Sequence, residues 1–263
     1  MTDLDVFDRP VTRYMSTDLE TARLESSVET IARAMHSRGV SGVPILDDDD
    51  WVAGVVTRTD LIRLGVLHTG RRGTSPSMPL PHRRAKDIMK HQPITILTTA
   101  TVRDAARAMT EHAIHRLFVL EGERLVGVIS AVDIARAVRD AGIDHELSTI
   151  MTAPIVTVDI KSPIGAATEQ LEHLRVTQLI VTDDGQPVGV FAQSDALATR
   201  DLPRGTPLET TYDAAVLCLP AATKLSRAAA HVAELDVRRV IVCKDREAIG
   251  IATALDFVRF VTL

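Results

Sequence analysis

The stretch Leu125-Val-Gly-Val-Ile-Ser-Ala-Val-Asp-Ile134 decides the fold, because its pattern recurs along the chain. It reads as a β-strand that passes through a tight turn into a helix, whose first turn holds Ser130 and Asp133. The pattern consists of glycine, an apolar residue, any residue, serine or threonine, two further residues and aspartate. We call this pattern the strand-to-helix motif.

The other copies of the motif follow one another at nearly equal intervals. Two copies keep both the hydroxyl and the carboxylate, and these are Gly54-Val-Val-Thr-Arg-Thr-Asp60 and Gly250-Ile-Ala-Thr-Ala-Leu-Asp256. A further copy, Gly189-Val-Phe-Ala-Gln-Ser-Asp195, has Ala192 at the hydroxyl position. Self-similarity at a nearly fixed period predicts a chain built from four copies of one structural unit.

The composition is typical of a globular protein. The chain has 263 residues, of which 45% are apolar and 25% charged, so it is long enough for two domains with a substantial core. Its net charge of −5 and its 3% of aromatic residues disfavour a nucleic-acid partner. Any anion that this chain binds must therefore be held by a local group of cations.

No segment predicts insertion into a membrane. No apolar run approaches the roughly 18 residues that a spanning helix needs. The N-terminus, Met1-Thr-Asp-Leu-Asp5, is acidic, whereas a signal peptide is basic and then apolar. We therefore expect a cytoplasmic protein.

Cysteine and histidine are too sparse to predict a metal site or a disulfide framework. Cys218 and Cys243 are the two cysteines and lack a paired His/Cys motif, so we expect both to be small buried apolar residues. His112 and His115 have helical spacing but no third ligand beside them. We expect no metal.

The first unit shows the element order most clearly. Ser26-Ser-Val-Glu29 can cap a helix with one apolar face, and Gly39 stands where a helix would end. Two apolar runs, Val43–Leu46 and Trp51–Val56, then predict a hairpin around a turn of four aspartates. Together with the motif helix, the unit has the order β-α-β-β-α.

The later units repeat this order. Thr101-Val-Arg-Asp104 predicts a capped helix in the second unit, and Ser162-Pro163 predicts a helix start in the third, with proline at the first helical position. The predicted boundaries are 11–65, 83–142, 147–200 and 208–261 for the four units, 66–82 for a linker or loop, and 201–207 for a connector.

The spacing of the motif supports two interpretations. In the first, the hydroxyl accepts a hydrogen bond from a helix amide while the aspartate reaches back, which is a capping box. In the second, the helix N-terminus attracts a phosphate and the carboxylate accepts from two adjacent hydroxyls of a ribose. The spacing alone leaves both open.

Four β-α-β-β-α units, each with this motif at its last strand-to-helix turn, resemble CBS domains. The resemblance covers residues 11 to 261 and implies an α+β fold in which units pair with pseudo-twofold symmetry into two Bateman modules. It also implies adenosine-containing ligands in the clefts between paired units, with the aspartate on the ribose and the hydroxyl near the phosphate. Such modules commonly associate, so a homodimer is expected.

The resemblance also assigns a role to two cationic pairs. His115-Arg116 precedes a strand in unit two and resembles a family segment whose cations meet phosphate, although Phe118 stands where proline is common. Arg238-Arg239 holds the same place in unit four, and a solvated pair at a strand end is its alternative interpretation. The other two units have Ser41-Gly42 and Thr177-Gln178 at this place.

The implied ligand residues differ between the two modules, because in the family these cations serve the cleft of the partner unit. The N-terminal module would combine His115 and Arg116 with the residues Thr57, Thr59 and Asp60. The C-terminal module would combine Arg238 and Arg239 with Ser194 and Asp195. The remaining clefts, with Ser130 and Asp133 and with Thr253 and Asp256, would suit a less charged ligand such as adenosine or a methylthio-nucleoside, or would be empty.

Three functions compete. The first is a non-enzymatic regulatory protein that binds AMP, ADP, ATP or S-adenosylmethionine and acts on a partner protein. The second is a CBS scaffold for interaction or oligomerisation without ligand, which Ala192 favours. The third is an enzyme, which we disfavour because the sequence has no nucleophile elbow, phosphate-binding Walker loop or dinucleotide glycine fingerprint.

Overall fold

The structure is a computed structural model. It describes residues 4–38, 40–57, 60–61, 82–174, 176, 178–199, 202–212, 214, 217–235, 237, 239–245 and 247–263. The described residues form two compact bodies. One contains residues 15–99 and 117–129, and the other contains residues 1–14, 100–116 and 130–263.

The described strands form one four-stranded and three three-stranded sheets. The first sheet has the order β1-β2-β3-β4, and the others are β5-β6-β7, β8-β9-β10 and β11-β12-β13. The strands are β1 Ala22–Arg23, β2 Gly42–Leu46, β3 Val52–Thr57, β4 Lys90–His91, β5 Thr95–Leu97, β6 Arg116–Glu121, β7 Arg124–Ser130, β8 Thr157–Asp159, β9 Gln178–Asp183, β10 Gln186–Ala192, β11 Leu217–Pro220, β12 Arg239–Lys244 and β13 Glu247–Thr253.

The described α-helices follow the predicted places in the repeats. They are α1 Val28–Ser37, α2 Val102–Glu111, α3 Ala131–Asp140, α4 Ile164–His173, α5 Gln193–Ala198, α6 Leu225–Leu235 and α7 Ala254–Thr262. The order β-α-β-β-α is complete in repeats two, three and four. The fold is therefore the α+β fold of four small mixed sheets that the repeats predict.

The core of the first repeat lies between α1 and its sheet. The helix buries Val28, Ile31 and Met35 on one face, because residues three and four apart share a side of a helix. These side chains pack with Val43, Ile45 and Val56 of the hairpin. Burial of this apolar face holds the helix against β2 and β3.

Repeats three and four pair through their sheets. Ile180 and Val190 from the third repeat pack with Ile241 and Ile251 from the fourth in one buried cluster. In the same body, α2 and α3 pack against the helices of repeat four, α6 and α7. The C-terminal pair therefore has an apolar interface between its two sheets.

A short leading segment before each repeat hydrogen-bonds to the partner repeat. In the fourth repeat, Leu225 N at the start of α6 donates to His145 O at 2.7 Å, and Leu147 N donates back to Thr223 O at 2.8 Å. The same exchange occurs at the bridges Pro10–Thr101, Ser27–Arg84 and Pro163–Pro207. Each leading segment thus satisfies a first-turn amide that a helix leaves without an internal partner.

The leading segments also place a methionine on the motif glycine of the partner repeat. A Cβ added to Gly127 or to Gly250 would lie 2.5 Å from the Sδ atom of Met15 or of Met151, respectively. A Cβ on Gly54 would lie 2.6 Å from Met89 Sδ. The motif therefore requires glycine because another chain segment crosses it. At this place the fourth leading segment has Tyr212.

Gly54→Ala is expected to lower the free energy of unfolding by about 1–3 kcal/mol, as overpacking does. The added methyl group would lie 2.7 Å from the carbonyl oxygen of Lys90, which is backbone and cannot rotate away. Gly205→Ala is the matched control, because a Cβ there meets no atom within 4 Å. Urea unfolding measures both variants, and equal stability of the two would contradict this account.

Several local expectations need correction. The N-cap of α1 is Ser27, which accepts from Thr30 N at 3.1 Å, so the cap lies one residue beyond the predicted Ser26. Pro163 is itself the N-cap of α4 and not its first helical residue. Strand β4 was not expected and pairs with β3 of the preceding repeat. Gly39 and residues 66–81 of the predicted linker lie outside the described residues.

Candidate functional site

The strand-to-helix motif of repeat two shows the local geometry in full. The Oδ2 atom of Asp133 accepts from the backbone amide and from the hydroxyl of Ser130, both at 2.7 Å. Ser130 is the N-cap of α3 and forms a capping box with Asp133. The first interpretation of the motif is therefore confirmed for this copy.

Repeat four has the same arrangement. Asp256 Oδ2 accepts from Thr253 N at 2.7 Å and from Thr253 Oγ1 at 2.8 Å. In repeat one, Asp60 Oδ2 accepts from Thr57 N at 2.9 Å and from the Thr57 hydroxyl. Thr59 of this motif lies outside the described residues.

The third motif lacks the hydroxyl half of the box. Asp195 Oδ2 accepts from Ala192 N at 2.8 Å, and Ala192 has no side-chain oxygen that could accept from the helix. Ser194 lies on α5, and its side chain lies outside the described part of the structure. This copy keeps the backbone contact of the motif and lacks the contact of the hydroxyl.

The second carboxylate oxygen of each complete motif meets a cation that sequence reasoning missed. Asp133 Oδ1 accepts from Arg136, and Asp256 Oδ1 accepts from Arg259 at 3.1 Å. Both arginines stand three residues after the aspartate, on the same face of the helix. The sequence signal was present, because the motif extends to Asp-x-x-Arg in these copies.

Asp60 is paired differently. Its Oδ1 lies 3.2 Å from Nζ of Lys90, which belongs to the leading segment of repeat two and not to the motif helix. The residue three positions after Asp60 is Arg63 in the sequence and lies outside the described residues. Among the residues that the structure describes, the cation at Asp60 thus comes from the other repeat of the module.

The motif carboxylates are buried. Their side chains are 10%, 6% and 8% exposed at Asp60, Asp133 and Asp256. A buried charge is tolerated where hydrogen bonds and an opposite charge compensate for lost hydration, and each site supplies both. These aspartates are fixed in one orientation before any ligand binds.

The predicted cationic pairs lie at strand starts. His115 O accepts from Ala131 N at 2.9 Å, and Arg116 is the first residue of β6. Arg239 begins β12 and stands opposite Thr253 in the antiparallel register. Arg238 lies outside the described residues, and the assignment of the two pairs to the clefts of partner repeats stays a prediction.

A cleft opens between repeats three and four. Its volume is about 270 Å³, and its walls are mostly apolar. The lining residues are Thr152, Pro154, Ile155, Val156, Val176, Gln178, Ile180 and Ile251. Gln178 is at the strand start where repeats two and four carry cations, so the described wall presents an amide at that place.

A second cavity, of about 320 Å³, lies in the N-terminal pair. It is lined by Leu19, Thr21, Leu46, Asp50, Arg124 and Leu125. These residues include the turn of the β2–β3 hairpin and the start of β7, and none belongs to a strand-to-helix motif. It is therefore a different cavity from the cleft of the C-terminal pair.

The cysteines differ from the expectation. Cys218 is exposed and Cys243 is partly buried, so the prediction that both are buried is wrong for Cys218. They lie on the neighbouring strands β11 and β12. Burial raises the pKa of the Cys243 thiol to about 12, and the Cys218 thiol beside it adds to that shift.

The described part of the chain has neither a helix suited to crossing a membrane nor a cluster of metal-binding side chains. No described helix is both long and apolar enough to cross a membrane. Among the same residues, no group of three or more His, Cys, Asp or Glu side chains is placed to hold a metal ion.

Comparison with protein families identifies the repeats. The model of the CBS domain matches residues 11–66, 85–140 and 147–200. The chain belongs to the CBS-domain family. Repeat four lies beyond these matches, but its sheet β11-β12-β13 and its helices α6 and α7 reproduce the same unit.

Curated relatives match only in part. A 33.4 kDa protein encoded in a ribosomal RNA operon of Thermofilum pendens is 26% identical over 72% of this chain and 63% of its own length. A homoserine O-acetyltransferase of Methanocorpusculum labreanum is 30% identical over 44% of this chain and 24% of its own length. The chain thus spans less than two thirds of these relatives.

Solved structures match over nearly the whole chain. Protein MJ1225 of Methanocaldococcus jannaschii superposes with a TM-score of 0.75 at 14% identity, over 96% of this chain and 99% of that one. A conserved protein of Pyrococcus horikoshii gives a TM-score of 0.66 at 17% identity, over 96% and 100%. At these identities the likeness establishes the fold, which has four CBS units.

Proposed function

We propose that this chain is a non-enzymatic regulatory protein that binds adenosine-containing ligands in the clefts between paired CBS repeats. The observation that carries the proposal is the set of buried, oriented carboxylates at Asp60, Asp133 and Asp256, each with one oxygen in a capping box and the other beside a cation. Capping alone does not need a buried ion pair, since the box of Thr101 and Asp104 caps α2 with an exposed aspartate whose other oxygen lies 4.0 Å from Arg107.

The proposed mode of binding follows from the chemistry of these groups. A ribose presents two adjacent hydroxyl donors, and a carboxylate oxygen can accept more than one hydrogen bond. The adenine would lie against apolar walls such as Ile155, Ile180 and Ile251 of the C-terminal cleft. With little aromatic surface available, aliphatic contact would hold the base.

The ligands proposed are AMP, ADP, ATP and S-adenosylmethionine, with the charge of each cleft selecting among them. The Asp256 cleft, with Gln178 in its wall, would take an uncharged nucleoside. The roles of Thr59, His115, Arg116, Ser194 and Arg238 as ligand contacts belong to the same proposal. The proposal also includes a homodimer and a regulated partner protein. Sedimentation velocity would show whether the chain forms the dimer.

A scaffold without ligand is the second candidate, and repeat three favours it. Its motif has Ala192 without a hydroxyl and Ala198 where the three other motifs have arginine in the sequence. The Asp195 cleft thus has fewer polar groups for a ligand than the other motifs. On this reading the CBS pairs would serve only to join proteins.

Thermal unfolding against a ligand panel tests the proposal. AMP, ADP, ATP, adenosine and S-adenosylmethionine are added separately, with GMP and orthophosphate as controls for base and phosphate. A ligand at about 100 times its dissociation constant stabilises the folded state by roughly 2.7 kcal/mol, which raises Tm by about 2–4 °C per kcal/mol. We expect a shift with at least one adenosine compound, and no shift with any would favour the scaffold.

A further inference from the structure

The residue that follows the leading methionine occupies one structural place in three repeats. Lys90 stands opposite Val55 in the pairing of β4 with β3. Ser16 and Thr152 stand opposite Val128 and Ile251 in isolated bridges. Each partner is the residue after the motif glycine, so the side chains of Lys90, Ser16 and Thr152 occupy equivalent positions in the fold.

In the C-terminal pair, the residue that follows the leading methionine faces the cleft. Thr152 and its partner Ile251 both line the cavity of about 270 Å³. The equivalent pair in the N-terminal module is Lys90 and Val55. A lysine thus stands in the first module where the second module has a neutral hydroxyl.

The lysine side chain points toward the motif. Its Nζ lies 3.2 Å from Asp60 Oδ1, while the lysine side chain remains 55% exposed and that of Asp60 is 10% exposed. The ammonium group thus lies on the solvent side of a buried carboxylate. From there it can turn toward an anion that enters beside Asp60, because the lysine stem is flexible.

The other motif carboxylates do not receive a cation from this place. Ser16 and Thr152 carry no charge, and the cations at Asp133 and Asp256 come from arginines on the motif helices themselves. An arginine held at i+3 is positioned by its own helix. Lys90 belongs to a separate strand, so its charge is additional to whatever the motif helix supplies.

We propose that Lys90 makes the Asp60 cleft selective for phosphorylated nucleosides over uncharged ones. The inference deepens the proposed function and rests on it. Lys90 would donate charge-assisted hydrogen bonds to a phosphate oxygen and would offset the repulsion between that phosphate and Asp60. At the Asp256 cleft, Thr152 supplies no charge, so that cleft would not prefer the phosphate on this account.

Isothermal titration with AMP and with adenosine tests the role of Lys90 in the full chain. Lys90→Thr is expected to weaken AMP binding at the Asp60 cleft by about 10-fold or more, as loss of a charge-assisted contact does, and to change adenosine binding by less than about 3-fold. Lys86→Thr is the matched control, since Lys86 is an exposed cation of the same segment that pairs with Glu25. It should change neither affinity.

The reciprocal change installs the charge in the other module. Thr152→Lys is expected to improve AMP binding at the Asp256 cleft by about 10-fold relative to adenosine. An additional Asp256→Ala change identifies that cleft, because it should abolish the gain. Thr152 is exposed, so installing a lysine there leaves the backbone bridge to Ile251 in place.

The outcomes separate this inference from the function on which it rests. If AMP and adenosine bind but lose affinity equally in Lys90→Thr, Lys90 orients Asp60 and does not select phosphate, and the inference is overturned alone. An unchanged AMP-to-adenosine ratio in both Lys90→Thr and Thr152→Lys also overturns it. If the unmodified chain binds neither AMP nor adenosine, the proposed function is wrong, and this inference is wrong with it.

Discussion

Asp60→Ala is expected to weaken binding of an adenine nucleotide by about 10–100-fold. The change removes a charged acceptor whose charge-assisted hydrogen bond to the ribose would contribute about 1.5–3 kcal/mol. It also leaves the ammonium group of Lys90 without its partner at 3.2 Å. Titration calorimetry with AMP measures the loss of affinity. Asp60→Asn keeps the size of the side chain and is measured as a second variant in case Asp60→Ala does not fold.

Asp104→Ala is the matched control for the loss of a helix cap. Asp104 accepts from Thr101 N at 3.0 Å and from Thr101 Oγ1 at 2.7 Å, which is the same capping box as that of Asp60. The Thr101 amide, followed by its hydroxyl, holds the pKa of Asp104 below its ordinary value. Loss of the Asp104 carboxylate should lower the free energy of unfolding by about 0.5–2 kcal/mol without changing the affinity for AMP. Unchanged affinity in folded Asp60→Ala protein would reject Asp60 as a ribose ligand.

Phe191→Ala is expected to lower the free energy of unfolding by about 3–5 kcal/mol. Phe191 precedes the motif position Ala192 and is fully buried, where it packs with Leu171 on α4 and with Leu179 and Val181 on β9. Truncation removes the apolar contact of the ring and leaves a cavity that close-packed neighbours fill only in part. A thermal scan should show Tm falling by about 2–4 °C for each kcal/mol lost.

Leu174→Ala is the control for the core of the same repeat. Leu174 follows α4 and is 45% exposed, and a surface substitution of this kind usually changes stability by less than about 0.5 kcal/mol. If the two variants unfolded at the same temperature, Phe191 would not be the anchor of this core.

The sequence predicted the repeats well because the motif is stringent. A strand that must turn sharply into a capped helix restricts several positions at once, and the turn recurs at nearly constant intervals. The hairpin strands β2 and β3 were equally evident, since two apolar runs flank the acidic turn 47–50. Helix α2 began at its predicted cap, Thr101, because a capping box is a local device.

The leading segments escaped prediction because their partners are distant in sequence. Strand β4 has two residues, Lys90 and His91, which is too short for any period to show. The ion pair of Lys90 with Asp60 joins two repeats, so no local spacing encodes it. The sequence predicts a buried Cys218 because cysteine is usually buried, but the side chain of Cys218 on β11 is exposed.

The crossed leading segments affect the order in which a newly made chain can acquire its structure. Thr152 meets its bridge partner Ile251 only after roughly a hundred further residues have been synthesised, and contacts of such long sequence separation form slowly. Until the fourth repeat has been made, the backbone amides of Leu147 and Thr152 lack their acceptors, the carbonyl oxygens of Thr223 and Ile251. During synthesis the chain would therefore fold one pair of repeats at a time. A chain stopped between the two repeats of a pair would expose its unpaired segments to chaperones and proteases.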